Sequence, residues 1–210
     1  MDFVILGNSL VRHLSIPNVE VTAISGLNWE KAVHYLMRHR ERFAQKYVFI
    51  VVGPLRFTSM HQSRREVAFS SNNNSTVHQI FAPFYNELSF LNIFPIICPL
   101  FPMNFKTYNG NTCQAPICQG FYEEWNKILR GHIVVENRHI YRFNCKYENN
   151  TPHLHTLIYH RRKHHYVFRE NLLSDGLHVT EEVLTHWKSE FQRVIGLIRS
   201  RLMKAAQETQ

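Results

Sequence analysis

The sequence predicts an α/β fold, a three-layer sandwich in which a parallel sheet of about five strands carries helices on both faces. Three observations predict it. Short apolar runs stop at glycine, as in Phe3-Val4-Ile5-Leu6 before Gly7 and Val48-Phe49-Ile50-Val51-Val52 before Gly53. These runs alternate with segments whose apolar residues recur at helical spacing. No internal repeat and no Gly/Ser linker interrupts the 210 residues, so a single domain over 1–205 with a short tail at 206–210 accounts for the chain.

The elements come in this order. Phe3–Leu6 is a buried strand, and Val19–Ile24 is a second one ending at Ser25-Gly26. From Asn28 to Phe43, Ala32, Val33, Leu36 and Phe43 mark an amphipathic helix. Val48–Val52 is the strongest strand. Residues 60–76 read as a loop or weak helix. Val77, Ile80, Phe81, Phe84, Leu88 and Leu91 then give a helix that Pro83 is expected to kink or to confine to the residues after it. Ile93–Cys98 is a strand despite Pro95, residues 103–119 are an irregular insert, and Phe121–Leu129 is helical. Ile140–Phe143 is the expected fifth strand, residues 146–173 are His-rich loops, and a last helix capped by Thr180 runs past Trp187 to about Met203.

Composition excludes several classes. Hydrophobic residues at 44% exclude a disordered chain, and no apolar run approaches the ~20 residues that span a bilayer. Met1-Asp2 leads straight into the first strand with no basic leader, which predicts an intracellular protein, cytoplasmic or nuclear. Four cysteines (Cys98, Cys113, Cys118 and Cys145) are sparse for a disulfide scaffold, and the sequons at Asn73, Asn74 and Asn149 matter only in a secreted chain. Fourteen histidines, five of them at His153, His155, His160, His164 and His165, raise zinc chemistry, but no His-Glu-x-x-His or paired Cys-x-x-Cys accompanies them, so no metal is expected. The net charge of +8 and pI of about 9.5 favour an anionic partner. Arg161, Arg162 and Lys163 are the candidate anion-binding residues.

Two segments at opposite ends of the chain carry the side-chain types of a serine hydrolase. Gly7-Asn8-Ser9 follows the first strand, and Ser174-Asp175-Gly176-Leu177-His178 precedes the last helix. Serine needs a base within hydrogen-bond reach, and the base needs an orienting group. Ser9 is the candidate nucleophile, His178 the base and Asp175 the orienting carboxylate. Ligands of parallel sheets bind beyond the carboxyl ends of the strands, where Ser9, Gly26 and Gly53 all fall.

Gly7-Asn8-Ser9 resembles the Gly-Asp-Ser block of the SGNH (GDSL-type) hydrolases, and Asp175-Gly-Leu-His178 resembles their Asp-x-x-His block. Gly26 matches the second-block glycine, and Trp187 lies where related members often carry an aromatic. The resemblance runs from about residue 2 to 200 and implies a flavodoxin-like fold, no cofactor, and an oxyanion hole formed by the N–H groups of Ser9 and Gly26. Two positions depart from the pattern. Asn8 replaces an aspartate that supports the turn, and Leu55, in Gly53-Pro54-Leu55-Arg56, stands where an asparagine donates to the oxyanion. Losing one such donor costs on the order of 100- to 1,000-fold in turnover. Arg56, as a substitute oxyanion or substrate contact, or an asparagine of residues 72–74, is the candidate replacement.

The implied function is a serine esterase or deacetylase acting on a small O-acyl ester through acyl-Ser9. The second reading is a weak or inactive domain of this kind, of mobile-element or viral type, that binds nucleic acid or another polyanion through the 161–163 cluster; it rests on fold-level analogy and charge.

Overall fold

The computed structural model describes residues 2–61, 65–70, 75–113, 116–162 and 165–208, with backbone alone at 160–162, 165 and 166. In chain order the elements are β1 (Asp2–Gly7), a 3-10 turn (Ser9–Val11), β2 (Val19–Ala23), α1 (Trp29–Arg38), α2 (Arg40–Phe43), β3 (Lys46–Val51) and a 3-10 turn (Pro54–Phe57). Next come β4 (Thr58–His61), β5 (Glu66–Phe69), α3 (Val77–Phe90), β6 (Phe94–Ile97), α4 (Phe105–Thr112), a 3-10 turn (Gln119–Phe121) and α5 (Tyr122–Lys146). β7 (Tyr159–Arg162), β8 (His165–Phe168), a 3-10 turn (Glu170–Leu172) and α6 (Glu181–Glu208) complete the chain.

The central sheet has the order β2-β1-β3-β6, and every pairing is parallel. β1 and β3 are buried on both faces, with Val4, Ile5, Leu6, Val48, Phe49 and Ile50 all at 0% exposure, which is why they read as unbroken apolar runs. α6 covers one face, where Phe191 meets Phe49 edge-on at 5.1 Å and Trp187 is fully buried beside Phe101. α1 and α3 pack against each other through His34 and Phe84. Because β2 and β3 lie on opposite sides of β1, the chain reverses its winding direction there, and the carboxyl end of β1 is the switch point where such sheets bind ligands.

Four expectations are corrected. The sheet has four strands among the described residues, because Ile140–Phe143 is part of α5. The buried stripe of α5 runs Tyr122, Asn126, Leu129, Ile133, Glu136, Asn137, Ile140, Phe143 and Asn144, a helical period with polar members. Those polar members stand in for a fifth strand. Asn144 takes the Ile97 N–H at 3.0 Å and donates to its carbonyl at 2.8 Å, and Asn137 does the same for Leu100 at 2.7 and 2.9 Å. Asn149, a sequon asparagine, is buried and donates to Pro95 O at 3.2 Å. Pro95 is tolerated because β6 is an edge strand.

Second, α3 runs through Pro83 without interruption. The lost backbone bond is offset by the burial of Val77, Ile80, Phe81 and Leu88 and by a Thr76–Gln79 capping box. Third, the segments expected to be irregular contain the antiparallel pairs β4–β5 and β7–β8 and the helix α4. Fourth, the last helix extends past Met203 to Glu208, so residues 206–208 of the expected tail are helical. Among the described residues no helix is long and apolar enough to cross a membrane.

Candidate active site

Ser9 is held by a tight turn at the end of β1. A Cβ on Gly7 would stand 2.8 Å from both Val11 methyl groups and 2.8 Å from Val51 O, so only glycine lets β1 lie this close to the turn. Asn8 donates its N–H to Val51 O at 3.2 Å, carrying the β1–β3 pairing one residue further. Its side-chain oxygen accepts the Leu10 N–H at 3.1 Å and caps the turn. An amide oxygen serves that cap as a carboxylate would, so the Asp-to-Asn change leaves the turn intact.

The second segment closes on itself. Leu173 and Val179 form an isolated antiparallel bridge, and the Ser174 N–H donates to His178 O at 2.7 Å. Within this loop Asp175 Oδ1 accepts the N–H groups of Leu177 (3.0 Å) and His178 (2.7 Å), while Oδ2 lies 2.7 Å from His178 Nδ1. His178 Nε2 lies 3.0 Å from Ser9 Oγ. Side chains 169 residues apart in sequence therefore form one hydrogen-bonded line from hydroxyl to imidazole to carboxylate.

Burial alone would raise the Asp175 pKa. Hydrogen bonds from the His178 ring, the His178 N–H and the Leu177 N–H outweigh it and hold the carboxyl below the ordinary carboxylate value. A carboxylate at this distance accepts from a protonated Nδ1, the tautomer that turns the Nε2 lone pair toward Ser9. The site is open, with His178 and Asp175 side chains 39% and 33% exposed.

Gly176 positions this loop. Its φ is +87°, and it sits on the first turn of α4, where Asn104 N–H donates to Gly176 O at 2.8 Å. Asn104 also caps α4 through its side chain and donates to Glu170, which is bonded in turn to Arg130 at 3.0 Å. Sequence reading missed Asn104, and the only signal for Gly176 was a glycine inside an Asp-x-x-His spacing.

Gly26 occupies the third position of a turn closed by Leu27 N–H to Ile24 O at 3.2 Å, and its φ of +67° is the type II geometry that requires glycine. Among the described residues no backbone carbonyl takes the N–H of Ser9 or of Gly26. Gly53 packs against the Ser9 turn, its missing Cβ lying 3.1 Å from Leu10 Cδ1 and 3.3 Å from Asn8 Nδ2. Leu55 lies in the neighbouring 3-10 turn and packs against the core.

Arg56, the candidate substitute, is buried with its guanidinium 4.1 Å over the Trp29 ring and bonded to Ser75 O. Burial pulls its pKa down against the opposing pull of Glu136 and Glu30. These contacts give Arg56 a packing role between the 3-10 turn and α1. Residues 72–74 and Lys163, and the side chains of Arg161 and Arg162, lie outside the described residues. Trp187 anchors α6, donating from Nε1 to Leu154 O at 2.8 Å.

No protein-family model and no curated protein matches this sequence. Solved structures do match its fold. A GDSL-like lipase of Bacteroides thetaiotaomicron superimposes with a TM-score of 0.63 at 13% identity, over 94% of this chain and 88% of that one. A catalytic mutant of an acetylxylan esterase from Geobacillus stearothermophilus gives a TM-score of 0.56 at 11% identity, over 93% and 94%. A member of the lipolytic G-D-S-L family from Veillonella parvula gives 0.54 at 11% identity, over 92% and 97%. The chain has the α/β/α fold of the SGNH (GDSL-type) hydrolases.

Proposed function

We propose that this chain is a serine esterase that cleaves a short-chain O-acyl ester through an acyl-Ser9 intermediate. The observation that carries the reading is the line Ser9 Oγ–His178–Asp175, with contacts of 3.0 and 2.7 Å, at the switch point of a GDSL-type fold. His178 Nε2 takes the Ser9 proton as Oγ adds to the ester carbonyl. Asp175 stays ionised and stabilises the imidazolium. The N–H groups of Ser9 and Gly26 receive the oxyanion. As the tetrahedral adduct collapses, the imidazolium gives its proton to the departing alkoxide oxygen. Water, deprotonated by His178, then releases the acid and regenerates Ser9.

The exposure of His178 and Asp175 favours a small acyl group on a larger carrier over a long chain sunk in a pocket. Leu55 leaves the oxyanion without a side-chain amide, so turnover is expected to be on the order of 100-fold below that of a three-donor enzyme. The test is hydrolysis of 4-nitrophenyl acetate by the purified protein beside Ser9→Ala and His178→Ala. The reading expects activity that both substitutions abolish, and it fails if Ser9→Ala hydrolyses the ester as fast as the unaltered chain.

A further inference from the structure

We propose that the ammonium of Lys31 supplies part of the positive potential at the oxyanion site that an asparagine at position 55 would otherwise provide. This rests on the serine-esterase reading above. Lys31 is the third residue of α1, whose N-terminal cap is Asn28. A cation in the first turn of a helix opposes the helix dipole, and anionic side chains are preferred there, as at the neighbouring Glu30. Lys31 is exposed and could extend into solvent at no cost. Instead its side chain folds back across the cap, and Nζ donates to Gly26 O at 3.2 Å.

That carbonyl belongs to the residue proposed above as the second oxyanion donor. The ammonium lies 3.8 Å from where a Gly26 Cβ would be, and apart from Gly26 and its chain neighbours no other atom among the described residues comes within 4 Å of that point. The positive φ of Gly26 and its missing side chain leave this side of the turn open to the ammonium. Of the three ammonium protons one is used on Gly26 O, and no carboxylate among the described residues forms an ion pair with Lys31. The charge is thus held beside the Gly26 donor without being neutralised. Leu55 contributes no donor there, and Arg56 is committed to Trp29 and Ser75.

Lys31 changes no bond in the reaction. It stabilises the negative charge on the carbonyl oxygen while the Oγ–C bond forms and releases it when the alkoxide leaves with the proton from His178. Because that charge exists only in the transition state and the tetrahedral adduct, the effect falls on kcat rather than on KM.

The experiment compares Lys31→Met and Lys31→Arg with the unaltered chain and Ser9→Ala on 4-nitrophenyl acetate, a neutral ester, with thermal midpoints measured in parallel. Lys31→Met is expected to lower kcat about 10-fold with KM within about twofold. Lys31→Arg, which keeps the charge, is expected to retain most of the rate, and all midpoints should agree within about 2 °C. A Lys31→Met enzyme with unaltered kcat, a change confined to KM, or an Arg variant as slow as the Met variant overturns the assignment. If the unaltered chain is faster than Ser9→Ala while Lys31→Met matches it, only the role of Lys31 falls. If the unaltered chain is no faster than Ser9→Ala, both readings fall.

Discussion

Gly176→Ala separates positioning of the His178 loop from the chemistry of its side chains. A Cβ at Gly176 would stand 2.6 Å from Tyr108 N, 2.7 Å from Asn104 O and 3.0 Å from Thr107 Cβ. The first two are backbone atoms of α4 and its cap, so no side-chain rotation relieves the clash. α4 is itself pinned, through Phe105 N–H to Asn126 Oδ1 at 3.0 Å and through Asn109 to both backbone groups of Val67 at 2.8 Å. The 174–178 loop must therefore either bear the clash or move. The left-handed conformation costs alanine about 1–2 kcal/mol, and the forced contact about 1–3 kcal/mol. Together these predict a loss of about 2–5 kcal/mol if the loop stays in place. If it yields, the 3.0 Å contact between Ser9 and His178 opens, and a displacement of about 1 Å costs on the order of 100-fold in kcat. The assay is urea unfolding together with kcat on 4-nitrophenyl acetate. Gly196→Ala, on an open face of α6, is the control and should be neutral or stabilising by up to about 1 kcal/mol. A Gly176→Ala protein with both stability and kcat indistinguishable from the unaltered chain would refute the reasoning.

Two further predictions concern stability. Asn137→Leu keeps the volume but leaves the buried N–H and C=O of Leu100 without their side-chain partner, so it should cost about 2–5 kcal/mol in denaturant unfolding, while a loss under about 0.5 kcal/mol would contradict the strand-substitute role of α5. His155 has its pKa pushed down to about 4 from 6.5, first by burial and then by His153 and His186, so the folded chain binds fewer protons than the unfolded one between these values. Stability should then be fully present above pH 6.5 and fall toward pH 4, by at most about 3 kcal/mol from this group; His155→Asn should flatten that part of the pH profile, and an unchanged profile would contradict it.

What the sequence disclosed depended on how local the cause was. β1 and β3 were legible because strands buried on both faces need unbroken apolar runs, and the glycines ending them mark the close packing around Ser9. α5 was misread because its buried face carries Asn126, Glu136, Asn137 and Asn144, which look like surface residues until the backbone groups they satisfy are known. The β4–β5 pair was hidden for a similar reason. Glu66 is buried there by bonds to Ile117 N–H, Cys118 N–H and Tyr122 OH, about fifty residues away in sequence. At the candidate site the side-chain types of Ser9, Asp175 and His178 were readable, and so was the absence of an amide at Leu55. The inward turn of Arg56 and the fold-back of Lys31 onto Gly26 were not, because each depends on tertiary neighbours with no fixed sequence spacing.

The central claim is that His178 activates Ser9 as a nucleophile. A fluorophosphonate tests this without knowledge of the substrate, since an activated serine displaces fluoride and keeps the phosphonyl group. The measurement is intact mass and peptide mapping after exposure of the unaltered chain, Ser9→Ala and His178→Ala. The account predicts one adduct, on Ser9, that is absent from Ser9→Ala and forms at least about 100-fold more slowly in His178→Ala. An unaltered chain left unlabelled at Ser9, or labelled there equally fast without His178, would contradict it.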